Sequence, residues 1–196
     1  MKRMITLAMC LVMLLCTAIS LGETTEKAYL GKVATNGSFE LLCTVPDGYT
    51  ISQAETGTDS GNFLALIMSE DTEKPVMVLS VAFDEMYSDV PRLNELDDDA
   101  LKQIEQTFRS EDEVEISYHE TAHGTKLMMI KENRDSVDYV DFFTIYKGYM
   151  IEFVLMHGNE AKETLTEEQI QLAVTFLSNL DFVDVSADGN ALHAAA

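Results

Sequence analysis

The chain has 196 residues, with 34 acidic against 13 basic side chains and a net charge of −21. A field of that sign repels polyanions, because each phosphate contact works against it, so nucleic acid and anionic lipid headgroups are excluded as favoured partners. A cationic partner, or divalent cations held loosely at the surface, is compatible with it.

The N-terminus opens with Lys2 and Arg3, followed by an uncharged, mostly apolar run from Met4 to Leu15. Ala18 and Ser20 then stand at the −3 and −1 positions that favour small residues before cleavage, which is the build of a secretory signal peptide. The apolar run is shorter than the roughly 20 residues that span a bilayer. Residues 1–20 are therefore predicted to be removed, leaving a secreted or envelope-associated chain; a retained anchor is the alternative. Loss of Lys2 and Arg3 leaves 11 basic against 34 acidic residues, near −23. Cys16, approached by Met13-Leu14-Leu15, offers another alternative as the lipidated cysteine of a bacterial lipoprotein, although bulky Leu15 stands where a small residue is expected. Cys10 and Cys16 both lie in the leader, so Cys43 is alone beyond it and no intrachain disulfide forms there. Core packing must hold such a domain together.

Residues 21–28 read as a polar linker. Strands are expected over 29–35 and 39–45, joined by Asn36-Gly37, a pair suited to the positive φ angles of a tight hairpin. Pro46 cannot donate to a sheet ladder, and Asp47-Gly48 turns the chain before Tyr49 restarts it. Further strands are expected over 62–68 and 75–83; the run PVMVLSVAF is too apolar for an exposed strand. In segment 92–109, Leu93, Leu96, Ala100, Leu101, Ile104 and Phe108 recur at three- and four-residue steps and predict an amphipathic helix. Asp97 is its expected N-cap, and Asp98 and Asp99 fall in the first turn, where the helix dipole favours anions. That accounts for the acidic triplet without calcium.

A meander follows, with Val114, Ile116 and Tyr118 alternating with polar residues, then strands over 126–131, 137–146 and 149–156. Lys147-Gly148 is a two-residue hairpin signal. The closing helix lies in TLTEEQIQLAVTFLSNL, with Thr164 and Glu167 or Thr166 and Gln169 as its capping box. Ile170, Ala173, Val174, Leu177 and Leu180 make its apolar stripe. Residues 183–196 are too polar to pack and read as a tail. The pattern predicts one α+β domain over 29–182: a largely antiparallel sheet of about six or seven strands with two main helices packed on it. The sheet face left open by such short helices, with the edge strands, is the expected binding surface.

A leader, a strand ending in VPDGY, a mid-chain helix, a YKGYMIEF hairpin and a closing FLSNLDF helix occur in that order. This succession resembles the PsbP-like family of small exported α/β/α sandwich domains, over roughly Tyr29 to Phe182. The resemblance implies an accessory or binding role beside an envelope or extracellular protein. No catalytic residue carries over from it.

One motif has catalytic spelling. His119-Glu120-Thr121-Ala122-His123 matches H-E-x-x-H, in which two histidines one helical turn apart hold zinc and the glutamate acts as base. A zinc-dependent metallohydrolase is thus the alternative function. Its surroundings differ from that pattern: EVEISY alternates at period two, Gly124 follows directly, and only His157 and His193 remain as further imidazoles. In an extended strand His119 and His123 are about 13 Å apart, so exposed turn histidines are the preferred reading. Cys43 alternates with Phe39, Leu41 and Val45 on one strand face and is read as a buried packing residue. Met77, Met128, Met129, Met150 and Met156 are read as core and sheet packing rather than copper ligands. There is no G-x-S-x-G, C-x-x-C, P-loop or dinucleotide glycine motif. No catalytic, cofactor-binding or metal residue is therefore assigned, and the expected role is a non-enzymatic exported binding domain.

Overall fold

A computed structural model describes residues 28–33, 39–55, 63–71, 73–109, 114–134, 137–157 and 164–185. The leader, the Asn36-Gly37 turn and residues 186–196 lie outside these. Along the described chain run β1 (Ala28–Val33), β2 (Phe39–Cys43), β3 (Tyr49–Glu55), β4 (Phe63–Ser69) and β5 (Pro75–Phe83). Helix α1 (Asp98–Phe108) precedes β6 (Glu115–Glu120), β7 (Lys126–Arg134), β8 (Val137–Tyr146) and β9 (Tyr149–His157). Helix α2 (Glu167–Leu177) and β10 (Asp181–Asp184) close the fold.

Seven strands form one antiparallel sheet in the order β3-β4-β5-β9-β8-β7-β6. A second sheet of three, β1-β2-β10, is also antiparallel. PVMVLSVAF is a central strand between β4 and β9, as its composition requires. Pro75 occupies its first position, where a missing N–H is tolerated. The fold is α+β, with one helix on each face of the large sheet.

Side chains of the large sheet alternate between two cores, because successive strand residues point to opposite faces. The larger core joins Leu79, Phe142, Ile151 and Phe153 to Phe39, Leu41 and Cys43 of the small sheet and to Ile170, Ala173, Phe176 and Leu177 of α2. The smaller one packs Met128, Ile130, Phe143 and Ile145 beneath Leu101 and Ile104 of α1, with Leu93 from the preceding 3-10 turn. Phe142 and Phe153 are fully buried, each worth roughly 1.5–3 kcal/mol in transfer from water.

Local signals agree with the helix ends. Asp97 caps α1 by accepting from the Ala100 amide at 2.8 Å. Thr166 and Gln169 form the reciprocal capping box of α2, so Thr166 rather than Thr164 is the cap. Lys147 and Gly148 both have positive φ, 51° and 79°, in the tight β8–β9 turn.

Helix α1 starts after its expected cap Asp97, and Leu93–Glu95, at the head of the apolar period, forms a separate 3-10 turn. Two boundaries differ from the sequence reading. Tyr49–Glu55 is a full edge strand rather than a mere restart after the turn. The domain also runs past Phe182: β10 pairs with β2 through Asp184, and Val185 is buried.

Candidate functional site

The H-E-x-x-H residues lie on a hairpin, not a helix. His119 and Glu120 end β6, opposite Leu127 and Lys126 of β7, and His123 stands in the turn between the strands. The one-turn helical spacing that would place both imidazoles on one side is therefore not formed. The turn has a dense set of internal bonds. The Thr121 amide donates to the Thr125 carbonyl at 2.9 Å, and the Thr121 hydroxyl accepts from the amides of His123 and Thr125. Asn94 clamps the turn from outside, donating to the Gly124 carbonyl at 2.6 Å and accepting from the Lys126 amide at 2.8 Å. The Ala122 amide reaches the carbonyl of Ser178, just after α2, at 2.8 Å.

His119 and His123 have different surroundings. His119 turns its Nε2 into the interior, beside a space of about 40 Å³ walled by Thr121, Leu127, Val174 and Ser178, large enough to admit water. His123 Nδ1 faces outward and lies 3.7 Å from Asp181 Oδ2. His157 ends β9 far away: Ile151 lies in line with His119, and the strand from there to His157 covers about 20 Å. Among the described residues no three His, Cys, Asp or Glu side chains assemble as a metal-holding group. His193 lies outside the described residues.

Cys43 is fully buried in the larger core, and burial pushes its thiol far above the ordinary range. A thiol kept protonated in this way is a packing group, not a nucleophile. Met77, Met128 and Met129 are buried core residues, and Met150 packs against the smaller core. Met156 is partly exposed on the sheet.

A polar groove of about 280 Å³ runs between β7, β8 and the start of α2, with Glu115, Lys131, Asp138 and Glu167 among its walls. Its polar groups serve one another. Asp138 accepts from Asn133 at 2.7 Å and from the Leu165 amide at 3.2 Å, and Lys131 lies 3.4 Å from Glu167.

Among the described residues, one half of the large sheet clusters partly exposed apolar side chains on one face. Helix α1 covers β6–β8 and reaches Met150 of β9. Beyond that border, β4, β5 and β9 present Leu66, Met68, Val76, Val78, Val154 and Met156 on the same face as α1, each partly exposed. The register places them side by side: Leu66 opposes Val78, Val78 opposes Val154, and Val76 opposes Met156. An antiparallel sheet with one solvated face normally alternates apolar inward with polar outward. Here six neighbouring outward positions are apolar as well, so a continuous strip results. Clustered apolar area of this kind marks interaction surfaces, whereas single exposed apolar residues do not.

Carboxylates stand along the strip. Glu152 lies on its face between Ser80 and Phe143, and buried Asp141 opposes Val154. The β4–β5 turn at its end carries exposed Glu70, Asp71 and Glu73. The sequence signal for this surface is the both-faces-apolar character of PVMVLSVAF and YMIEFVLM. That pattern marks strands with little solvent on either side without saying what covers them.

Among the described residues, no helix is long and apolar enough to cross a membrane. Comparison of the chain with family models, with curated proteins and with solved structures gives no match.

Proposed function

We propose that this chain is an exported, non-enzymatic accessory or binding domain of PsbP-like α/β/α architecture, which docks an envelope or extracellular protein on the open half of its large sheet. The observation that carries the reading is the strip formed by Leu66, Met68, Val76, Val78, Val154 and Met156, where a solvated sheet face would carry polar residues. The order of leader, VPDGY strand end, YKGYMIEF hairpin and closing helix supports the family architecture, as does a helix on each face of one antiparallel sheet. The leader-like residues 1–20 support export.

Two measurements test it. Mass spectrometry of the chain recovered from its native host should find an N-terminus near residue 21; a lipid on Cys16 would instead make it an anchored binding protein, and an intact leader would remove export. Crosslinking on the native envelope should give an adduct with the wild-type chain that a folded Val78→Thr/Val154→Thr variant does not give. An adduct equally strong in that variant would rule out the strip as the docking surface.

A further inference from the structure

Strand β3 (Tyr49–Glu55) is one end of the large sheet, and no described strand pairs with its outer side. Strand β1 packs near it but pairs only with β2. Which backbone groups face that open side follows from the β8–β9 turn. The residues flanking a two-residue hairpin turn exchange both backbone bonds, so Tyr146 bonds to β9 and Tyr149 to β8. Bonding direction alternates along each strand, and the registers run without a slip from β9 through β5 and β4 to β3. Thr50, Ser52 and Ala54 therefore bond to β4, while the amides and carbonyls of Ile51 and Gln53 point to the open edge. The Tyr49 amide, on the same side, is taken by the Pro46 carbonyl at 3.1 Å.

Two further features mark this edge. Native edge strands are commonly guarded by charges, proline or shortness. At the other end of the sheet β6 has exposed Glu115 and Glu120 at its termini. YTISQAE runs for seven residues without proline or lysine, and its one charge stands at the last position. A core row also stops there. Leu155, Met77 and Ile67 lie side by side across the sheet, all buried, and the row ends at Ile51, which is only partly buried.

From this we infer that β3 pairs antiparallel with β3 of a second copy of the chain, about a two-fold axis at Ser52, joining the two large sheets into one. That register aligns all seven residues: Ile51 meets Gln53, Thr50 meets Ala54, and Tyr49 meets Glu55. Outward groups then meet outward groups, for about six backbone hydrogen bonds between the copies. The strand's one charge falls opposite a tyrosine rather than its own like, and the core row is continued past Ile51. The contact is isologous and closes at two chains, leaving the guarded β6 strands as the ends of the joined sheet. It uses the edge and not the apolar strip, so it stands apart from the docking reading. A seven-residue strand pair is a small contact, so the dimer is weak and depends on concentration. The β4–β5 turn beside Tyr49 holds Lys74, 5.6 Å over its ring, and also Glu70, Asp71 and Glu73. Salt of about 0.15 M, which limits charge effects to about 8 Å, is therefore the working condition.

The test is a site-specific crosslink. Facing residues at the axis form a non-hydrogen-bonded pair, with Cα atoms about 4.5 Å apart, inside the range of a disulfide. Mildly oxidised Ser52→Cys should give a covalent dimer, with peptide mass spectrometry placing the link between the two substituted positions. Thr50→Cys should give at least roughly tenfold less, because its two copies stand four residues apart along the strands, about 13 Å. Without oxidant, sedimentation of the wild-type chain should show a dimer growing with concentration. Gln53→Pro should weaken it by roughly tenfold or more, since proline removes an outward amide and leaves the β4 ladder intact. Circular dichroism reports whether that variant folds; if it does not, Ser52→Lys takes its place and should weaken the dimer by setting like charges on the axis. A monomer at every concentration with no Ser52→Cys link would overturn the inference. So would equal linking by Thr50→Cys, which means random collision. A dimer unmoved by the edge variants but dissolved by Val78→Thr/Val154→Thr would place the contact on the strip and overturn it too.

Discussion

The Tyr146 hydroxyl donates a 2.8 Å hydrogen bond to the carboxylate of Asp184, across 38 residues of sequence. Lys147 Nζ lies 2.7 Å from the same carboxylate, and the Tyr146 ring stacks on Phe182 at 4.6 Å. Together these contacts fasten the last strand, β10, to the β8–β9 turn. They explain how a polar segment such as DFVD stays in the sheet. Asp184→Ala should lower unfolding stability by about 1 kcal/mol, since its bonds are charge-assisted but partly exposed. Denaturant unfolding measures the difference.

The same latch has a pH dependence of known sign. Burial alone raises the Asp184 carboxyl, but hydrogen bonds from Lys147 and Tyr146, with the charges of Lys147 and Arg92, outweigh it and hold the group below its ordinary value of 3.8. A depressed carboxyl contributes stability above its unfolded value and loses it as pH falls through the folded one. The stability gap between wild type and Asp184→Ala should therefore stay constant from pH 7 to about 5 and close below about 4. Tyr146 runs the opposite way. Burial, the bond to Asp184 and the Asp184 charge push it up to about 12, so its contribution holds below about pH 10 and is lost as pH rises towards 12. Thermal melts of wild type, Asp184→Ala and Tyr146→Phe across both ranges check these signs.

Gly148 is the position least able to accept a side chain among the described glycines. Its φ is +79°, and an added Cβ would lie 3.0 Å from Phe83 Cε2 and 3.1 Å from Ser88 Cα. The turn is also gripped from outside: the amides of Lys147 and Gly148 donate to Pro91 and Val90, and the Gly148 carbonyl accepts from Asp84. Gly148→Ala should cost about 1–3 kcal/mol, seen as a fall in the urea midpoint. An unchanged midpoint would mean that the 84–91 segment yields freely.

Cys43 should behave as a core group. Iodoacetamide should label it at neutral pH only after denaturation, because burial keeps the thiol both protonated and enclosed. Cys43→Ala should destabilise by about 1 kcal/mol. Rapid labelling of the native protein would contradict its placement.

The capping box of α2 gives a separate check on local energetics. Thr166 accepts from the Gln169 amide at 3.2 Å, and Gln169 Oε1 accepts from the Thr166 amide at 2.9 Å. Thr166→Ala should cost about 1 kcal/mol, whereas Thr164→Ala should be near neutral. Calorimetry on the two variants separates them.

Much of the local structure is legible in the sequence because it is set by neighbours in the chain. The alternation in Phe39–Cys43, the breadth of PVMVLSVAF, the Lys147-Gly148 turn, the Asp97 cap and the period of α2 each depend on a handful of adjacent residues. Elements whose stability comes from distant partners were less visible. Tyr49–Glu55, YTISQAE, has little apolar character and becomes a strand by pairing along β4. Asp181–Asp184 is half acidic and is ordered by β2 and the Tyr146 latch.

The site follows the same division. The spelling of H-E-x-x-H is a sequence fact, but its meaning depends on backbone shape, and the hairpin from β6 to β7 removes the helical spacing that zinc chemistry needs. By itself the sequence determined the acidic charge, the leader-like start, the two amphipathic helices and most strands, because these rest on composition and short-range period. Only the tertiary structure decided that β5 lies beside β9, that α1 covers one half of the sheet, and that the other half carries a strip of apolar side chains. Those arrangements depend on pairings between residues far apart in the chain, whose partners no local pattern names.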